Sequence, residues 1–259
     1  MLILLPPSEG KTAPTTGSPV ELNKLAYAGT LTPSRQRLLG ALAALAELPV
    51  ERAVSMLAVS AGQAGEVAVD AALSSAPAGP AAAVYTGVLY DRLRLPDLPK
   101  RAQGRVLIAS ALWGVLRPGD EIPYYRFSAK AKLEGIGGLA AFWRPALAEA
   151  LPDKPGTLVV DMRSGAYSAA WKPKRATLVH VRAFSEVKGK RKPVSHMAKA
   201  VRGEVARALL EAKKAPESPE GAASIAESAG FTVELTPGYL DVIVRDCPST
   251  WEVEVGPGA

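Results

Sequence analysis

Apolar residues recur with a helical period over residues 34–47, where Leu38, Leu39, Leu42 and Leu45 share one face. That stretch is predicted as an amphipathic helix. Residues 50–75 are alanine-rich and read as two helices broken near Ser60-Ala61-Gly62. A third long helix is predicted over 195–214, with Met197, Val201, Val205 and Leu209 spaced by four. Short apolar runs bounded by turn residues read as strands: residues 1–5, 81–87, 104–110 and 156–162. Residues 177–184 alternate polar and apolar, which suggests an exposed edge strand. Residues 231–235 and 239–246 flank Thr236-Pro237-Gly238 and predict an antiparallel hairpin. Residues 74–80 and 215–220 are expected as turn and loop. Strands that interleave with helices and end in a hairpin predict a single α/β domain over 1–259, a mixed sheet flanked by helices.

Composition narrows the class. Of 259 residues, 48% are hydrophobic, enough for a substantial core. No apolar run is long enough to span a membrane. The N-terminus, MLILLPP, lacks the basic segment and cleavage site of a signal peptide and reads as a first strand. The lone cysteine, Cys247, excludes an internal disulfide and a thiolate cluster, so a cytoplasmic location is expected. His180 and His196 are the only histidines. Neither stands at metal-ligand spacing, and no Glu-x-x-His pair occurs, so no metal, no stable iron site and no cofactor is expected. Net charge is +6, with Lys and Arg concentrated after Trp171, which makes a polyanion a candidate partner.

Candidate chemistry lies in four stretches. Gly10-Lys11-Thr12 follows the first strand like the end of a phosphate-binding loop, but Leu5 stands where the first glycine belongs. Pro6 and Pro7 also remove donors that such a loop needs. Lys11 therefore reads as one cation near a strand end. Residues 110–130, SALWGVLRPGDEIPYYRFSAK, place Arg117, Asp120, Tyr125 and Arg126 in a turn stiffened by prolines. Either these groups form a site, or Arg117 and Asp120 pair structurally. Leu133, Gly135, Ile136, Gly137 and Ala141 match the hairpin of a helix-hairpin-helix unit, Leu-x-Gly-hydrophobic-Gly-x-x-x-Ala. Its glycines let backbone N–H groups approach a phosphate independently of base sequence. The upstream helix would have to fit into 125–132. In VVDMRSGAY, Asp161 and Ser164 end a strand, either to line a cleft with Arg163 and Tyr167 or to cap the next helix.

Several of these segments together resemble a known family. VYTGVLYDRL, ALWGVLRPGDEIPYYR, FWRPAL, VVDMRSGAY and MAKAVRGEVARALL occur in that order, after PPSEGKT. They resemble the YaaA family of peroxide-stress proteins, and the Leu-Arg-Pro-x-Asp block is the specific part. The resemblance implies a cytoplasmic bacterial protein that limits oxidative damage and is linked to control of iron. It also implies binding of double-stranded DNA through a basic cleft and a helix-hairpin-helix element. Gly135, Ile136, Gly137, Lys132, Lys199 and Arg202 are the corresponding DNA-contact candidates. The alternative is an enzyme on a phosphorylated or nucleobase-like small molecule. Lys11, Arg117, Arg126 and Lys199 would then hold an anion, Asp120 or Asp161 would serve as acid or base, and Tyr125 and Ser164 would complete the cleft.

Overall fold

The computed structural model describes residues 1–187, 190–194 and 197–245. The expectations for His196, Cys247 and the basic residue Lys188 lie outside them. The chain runs β1 (Leu2–Leu5), α1 (Ala28–Ala43), α2 (Val50–Leu57), α3 (Gly65–Ala71), β2 (Gly79–Pro80), α4 (Ala81–Val84), α5 (Val88–Leu93), α6 (Lys100–Gln103), β3 (Val106–Ser110), β4 (Gly114–Leu116) and β5 (Glu121–Ile122). It continues through α7 (Leu139–Ala150), β6 (Leu158–Asp161), α8 (Gly165–Ser168), β7 (Thr177–Val187), β8 (Lys190–Pro193), α9 (Met197–Glu211), α10 (Pro219–Ser228), β9 (Thr232–Thr236) and β10 (Tyr239–Arg245). The main sheet has eight strands in the order β4-β3-β1-β6-β7-β10-β9, with β8 paired to β7. It is an α/β fold with a mixed sheet. The five strands β3, β1, β6, β7 and β10 run parallel, while β4, β8 and β9 pair antiparallel to their neighbours.

β1, β3 and β6 are almost wholly buried, as expected for parallel strands covered on both faces. Helix α7 lays Trp143 and Leu147 beside Leu4, Leu107 and Ala109. Register places Val179 and Val181 on the opposite face, where α9 packs against β7 through a core that includes Val201 and Val205. β1 sits between β3 and β6, which the chain reaches in opposite directions. The carboxyl ends of these strands therefore mark a topological switch point, the position at which open α/β sheets commonly hold ligands.

The observed elements correct four expectations. Residues 177–184 do not form an edge: β7 pairs with β6, β8 and β10. The alternation there reports burial of one face only, with Val179, Val181 and Ala183 inward. Residues 81–84 are helix, not strand. Pro80 starts the turn at ψ 130°, and the amides of Ala81 and Ala82 donate to Asp120 and Pro118 carbonyls instead of to a ladder. Helix α10 begins within the expected loop, where Ser218 Oγ accepts the Gly221 N–H at 3.2 Å. Finally, no helix precedes the Gly135–Gly137 hairpin. Residues 123–128 have no regular secondary structure, and 129–138 hold only turns before α7. The amides of Arg126 and Lys132 are taken by Asp70 and by the Met56 carbonyl, so they are unavailable to a helix. The upstream half of the helix-hairpin-helix expectation is absent. Among the described residues no helix is long and apolar enough to cross a membrane.

Candidate functional site

The segment after β1 is stitched to the Tyr85-Thr86-Gly87 turn. The Thr12 N–H donates to the Val84 carbonyl at 2.8 Å, the Thr86 N–H donates to the Gly10 carbonyl at 3.1 Å, and Ser8 Oγ donates to the Thr86 carbonyl. Gly87 turns this chain at φ +94°, a conformation that favours glycine. Lys11 thus forms a bridge with Tyr85, and its side chain points over aromatic rings. Nζ lies 4.5 Å from the Tyr125 ring centre and 5.7 Å from that of Tyr85, and donates to the Ser8 carbonyl at 2.7 Å.

Beneath Lys11 is a buried hydroxyl cluster. Tyr85 and Tyr125 share a hydrogen bond of 2.6 Å, and Ser110 Oγ lies 2.8 Å from the Tyr125 hydroxyl. Burial pushes both phenols well above their ordinary value, so they act as neutral donors. Beside it stand two carboxylates of α3. Asp70 is 1% exposed, and its Oδ1 accepts the Arg126 N–H at 2.8 Å. Four residues earlier, Glu66 accepts from the Tyr124 hydroxyl at 3.0 Å. Asp70 Oδ2 and Glu66 Oε2 are buried without a donor. The Arg126 guanidinium donates to the Glu9 carbonyl at 3.0 Å.

The surroundings drive the acid and the base toward each other. Burial, helped by the Arg126 charge, pulls the Lys11 ammonium down to about 8, against the attraction of Asp70, Glu9 and Glu66. Burial pushes the Asp70 carboxyl up to about 7; Glu66 adds to this, while the Arg126 N–H bond and the Lys11 charge oppose it. A proton donor and a proton acceptor thus both titrate near neutrality in one place. A groove of about 620 Å³ has Glu66, Tyr124, Ala13 and Pro14 among its walls; Lys11, Asp70 and Arg126 do not line it, and Glu66 and Tyr124 connect it to their cluster.

The sequence candidates divide. Lys11, Tyr125 and Arg126 come together. Arg117 and Arg202 make their contacts elsewhere, and Lys199 is exposed on α9. Arg117 donates to the Gly104 carbonyl at 3.3 Å and lies over the Tyr27 ring. Asp120 accepts the N–H groups of Ala26 and Arg117 at 2.9 and 3.0 Å, which holds the turn closed. Asp161 is gripped by Arg163 through two bonds of 2.9 Å, with His180 Nδ1 at 3.4 Å. Ser164 is exposed and stands at the N-cap of α8 without a side-chain cap bond. Lys199 is exposed on α9, and Arg202 donates to the Val181 carbonyl at 3.1 Å. Gly135 and Gly137 have φ near +70°, and a Cβ added at either would meet open space. Lys132 is exposed beside them, Arg37 donates to the Gly135 carbonyl at 3.2 Å, and Ile136 packs against the core.

Asp70, Glu66 and Ser110 were not singled out from the sequence. One signal was present: Glu66 and Asp70 are the only charged residues in GEVAVDAAL and stand four apart, on one helical face.

Comparison with known proteins agrees with these motifs. A UPF0246 protein of Streptomyces coelicolor is 42% identical over 259 residues, covering 95% of this chain and 99% of its own. One from Corynebacterium glutamicum is 39% identical, covering 94% of this chain and 98% of its own. The family model described as peroxide stress protein YaaA matches residues 1–235. The chain therefore belongs to the YaaA family of peroxide stress proteins.

Proposed function

We propose that this protein serves the peroxide response as a cytoplasmic enzyme on a small anionic molecule, phosphorylated or nucleobase-like, bound at the Lys11–Asp70–Arg126 cluster. The observation that carries this reading is the convergence of Lys11 and Asp70 on titration near neutrality over buried Tyr and Ser hydroxyls, with Glu66 of the same helix as Asp70 lining a neighbouring groove of ligand size. Arg126 holds the anion, Lys11 and Asp70 exchange protons with it, and Tyr124 offers a ring face to stack on. The acid/base role assigned from sequence to Asp120 or Asp161 passes to Asp70, because both of those carboxylates are already engaged in holding the fold. A metabolite screen by thermal shift at fixed salt tests the reading. A ligand that raises the melting temperature, with the rise lost in Lys11→Ala and Arg126→Ala, is expected. A screen in which no anionic metabolite stabilises the wild type refutes it.

A second reading, binding of double-stranded DNA, is favoured by the Gly135–Gly137 turn. Its open glycines precede the N-terminus of α7, and the exposed Lys132 and Arg37 lie beside it. The same irregular segment, 123–138, carries both this turn and the Tyr125–Arg126 contacts. Affinity for duplex DNA is expected to fall steeply with salt and to depend little on base sequence. Unchanged affinity in a folded protein with both glycines replaced by valine removes the hairpin from this role.

A further inference from the structure

Lys11 is built unlike an anion-holding lysine. A lysine that serves only as a cation is hydrated or paired with a carboxylate, and it keeps its charge. Among the described residues the only hydrogen-bond partner of Lys11 Nζ is the Ser8 carbonyl, and no carboxylate lies within ion-pairing distance. The faces of two tyrosine rings lie against it and favour the ammonium, while burial and Arg126 favour the amine and prevail. Arg126 is its cationic neighbour, and Asp70, Glu9 and Glu66 are the acidic groups that act on it. Asp70 accepts the Arg126 backbone N–H with one oxygen, and its other oxygen is buried without a donor.

We infer that Lys11 is an amine nucleophile that forms a reversible imine with a small carbonyl compound whose anionic group is held by Arg126. This rests on the small-molecule reading above and names its substrate class. The Nζ lone pair adds to the carbonyl carbon, the C=O electron pair moves to oxygen, and one of the two Nζ protons passes to that oxygen. The resulting carbinolamine loses its hydroxyl as water, with a proton from the Asp70 carboxyl. Loss of a proton from nitrogen to the Asp70 carboxylate leaves the C=N bond. The balance is amine plus carbonyl giving imine plus water, with Asp70 restored and no oxidant or reductant consumed. The downward shift of Lys11 supports the step: roughly a tenth of the amine is neutral at pH 7, against well under a hundredth for an ordinary lysine. Asp70, near half-protonated at that pH, supplies and recovers the proton.

Reductive trapping tests this on the full chain. Pyridoxal 5′-phosphate, an aldehyde that carries a phosphate, is the probe; borohydride fixes any imine, and peptide mapping locates it. Lys11 is expected to be labelled at least tenfold faster than the exposed Lys199, with a rate that rises through about pH 8. Asp70→Asn is expected to slow labelling about tenfold. Lys11→Arg, checked for folding by circular dichroism, is expected to lose that modified peptide alone. Labelling of Lys11 no faster than Lys199 overturns the inference. If phosphorylated metabolites still stabilise the protein in an Arg126-dependent way, the small-molecule reading survives that result. If neither trapping nor stabilisation occurs, both fall.

Discussion

Asp70 Oδ1 accepts the backbone N–H of Arg126 at 2.8 Å while Asp70 Oδ2 is buried without a donor. One oxygen positions the cationic residue of the site, and the other favours a protonated carboxyl. This leads to a stability prediction with a definite sign. Folding raises the Asp70 pKa from 3.8 to about 7. Between those values the native state holds a proton that the unfolded state has lost, so stability falls as pH rises and the loss is complete above 7. Asp70→Asn keeps the acceptor and removes the charge. It is expected to stabilise the protein at pH 8 by a few kcal/mol, at most roughly 4, and by almost nothing at pH 4. Thermal unfolding of both proteins at the two pH values checks it. An equal effect at both refutes it.

Asp161 and Arg163 are expected to be a structural pair. Their side chains are 0% and 4% exposed, and Arg163 also donates to the Trp171 carbonyl at 2.8 Å. Asp161→Ala leaves the guanidinium buried without its counter-charge and is expected to cost about 3–5 kcal/mol. Replacing both with apolar residues is expected to recover much of that loss. Urea unfolding of the single and double variants measures the difference.

Asp120 is expected to act on stability alone. Its carboxylate holds Ala26 and Arg117 amides from two segments of the chain. Asp120→Ala leaves those N–H groups without a partner and is expected to cost about 1–3 kcal/mol. Any ligand found by thermal shift is expected to stabilise this variant by the same increment as the wild type. Loss of that increment in the folded variant returns Asp120 to the site.

Gly203 permits the close approach of α9 to α5. A Cβ there would stand 2.3 Å from the Leu89 carbonyl oxygen and 2.9 Å from Arg92 Cβ. Gly203→Ala is expected to destabilise by about 1–3 kcal/mol, because a backbone carbonyl cannot step aside as a side chain does. Gly137→Ala meets no atom and bears only the strain of its positive φ, about 1–2 kcal/mol. Parallel denaturation curves rank the two; a larger loss at Gly137 contradicts the packing argument. The Ala198-Lys199…Arg202-Gly203 motif thus has a packing reason at its glycine, independent of any polyanion.

Local pattern alone determined much of the architecture. The leucine period of α1, the break between α2 and α3, the buried runs of β1, β3 and β6, and the Thr236-Pro237-Gly238 hairpin all follow from side-chain periodicity and turn chemistry. Those features depend on neighbours within a few residues, so they are legible in sequence. The ordered motifs also determined the family, and the Leu-Arg-Pro-x-Asp block among them closes a turn through the Asp120 carboxylate. Tertiary structure decided what depends on distant partners. Whether 177–184 lies at an edge depends on β8 and β10, not on its own alternation. Whether 125–132 coils into a helix depends on Asp70 and Met56, which claim its amides first. The division of eight candidate side chains into one cluster, the structural contacts of Arg117, Asp120 and Asp161, and the exposed Ser164 and Lys199 follows from where the packed elements place them. Asp70 gains its chemistry from burial beside Arg126 and Lys11, 56 and 59 residues away in sequence. Burial is a property of the packed fold, so no local pattern carried that shift.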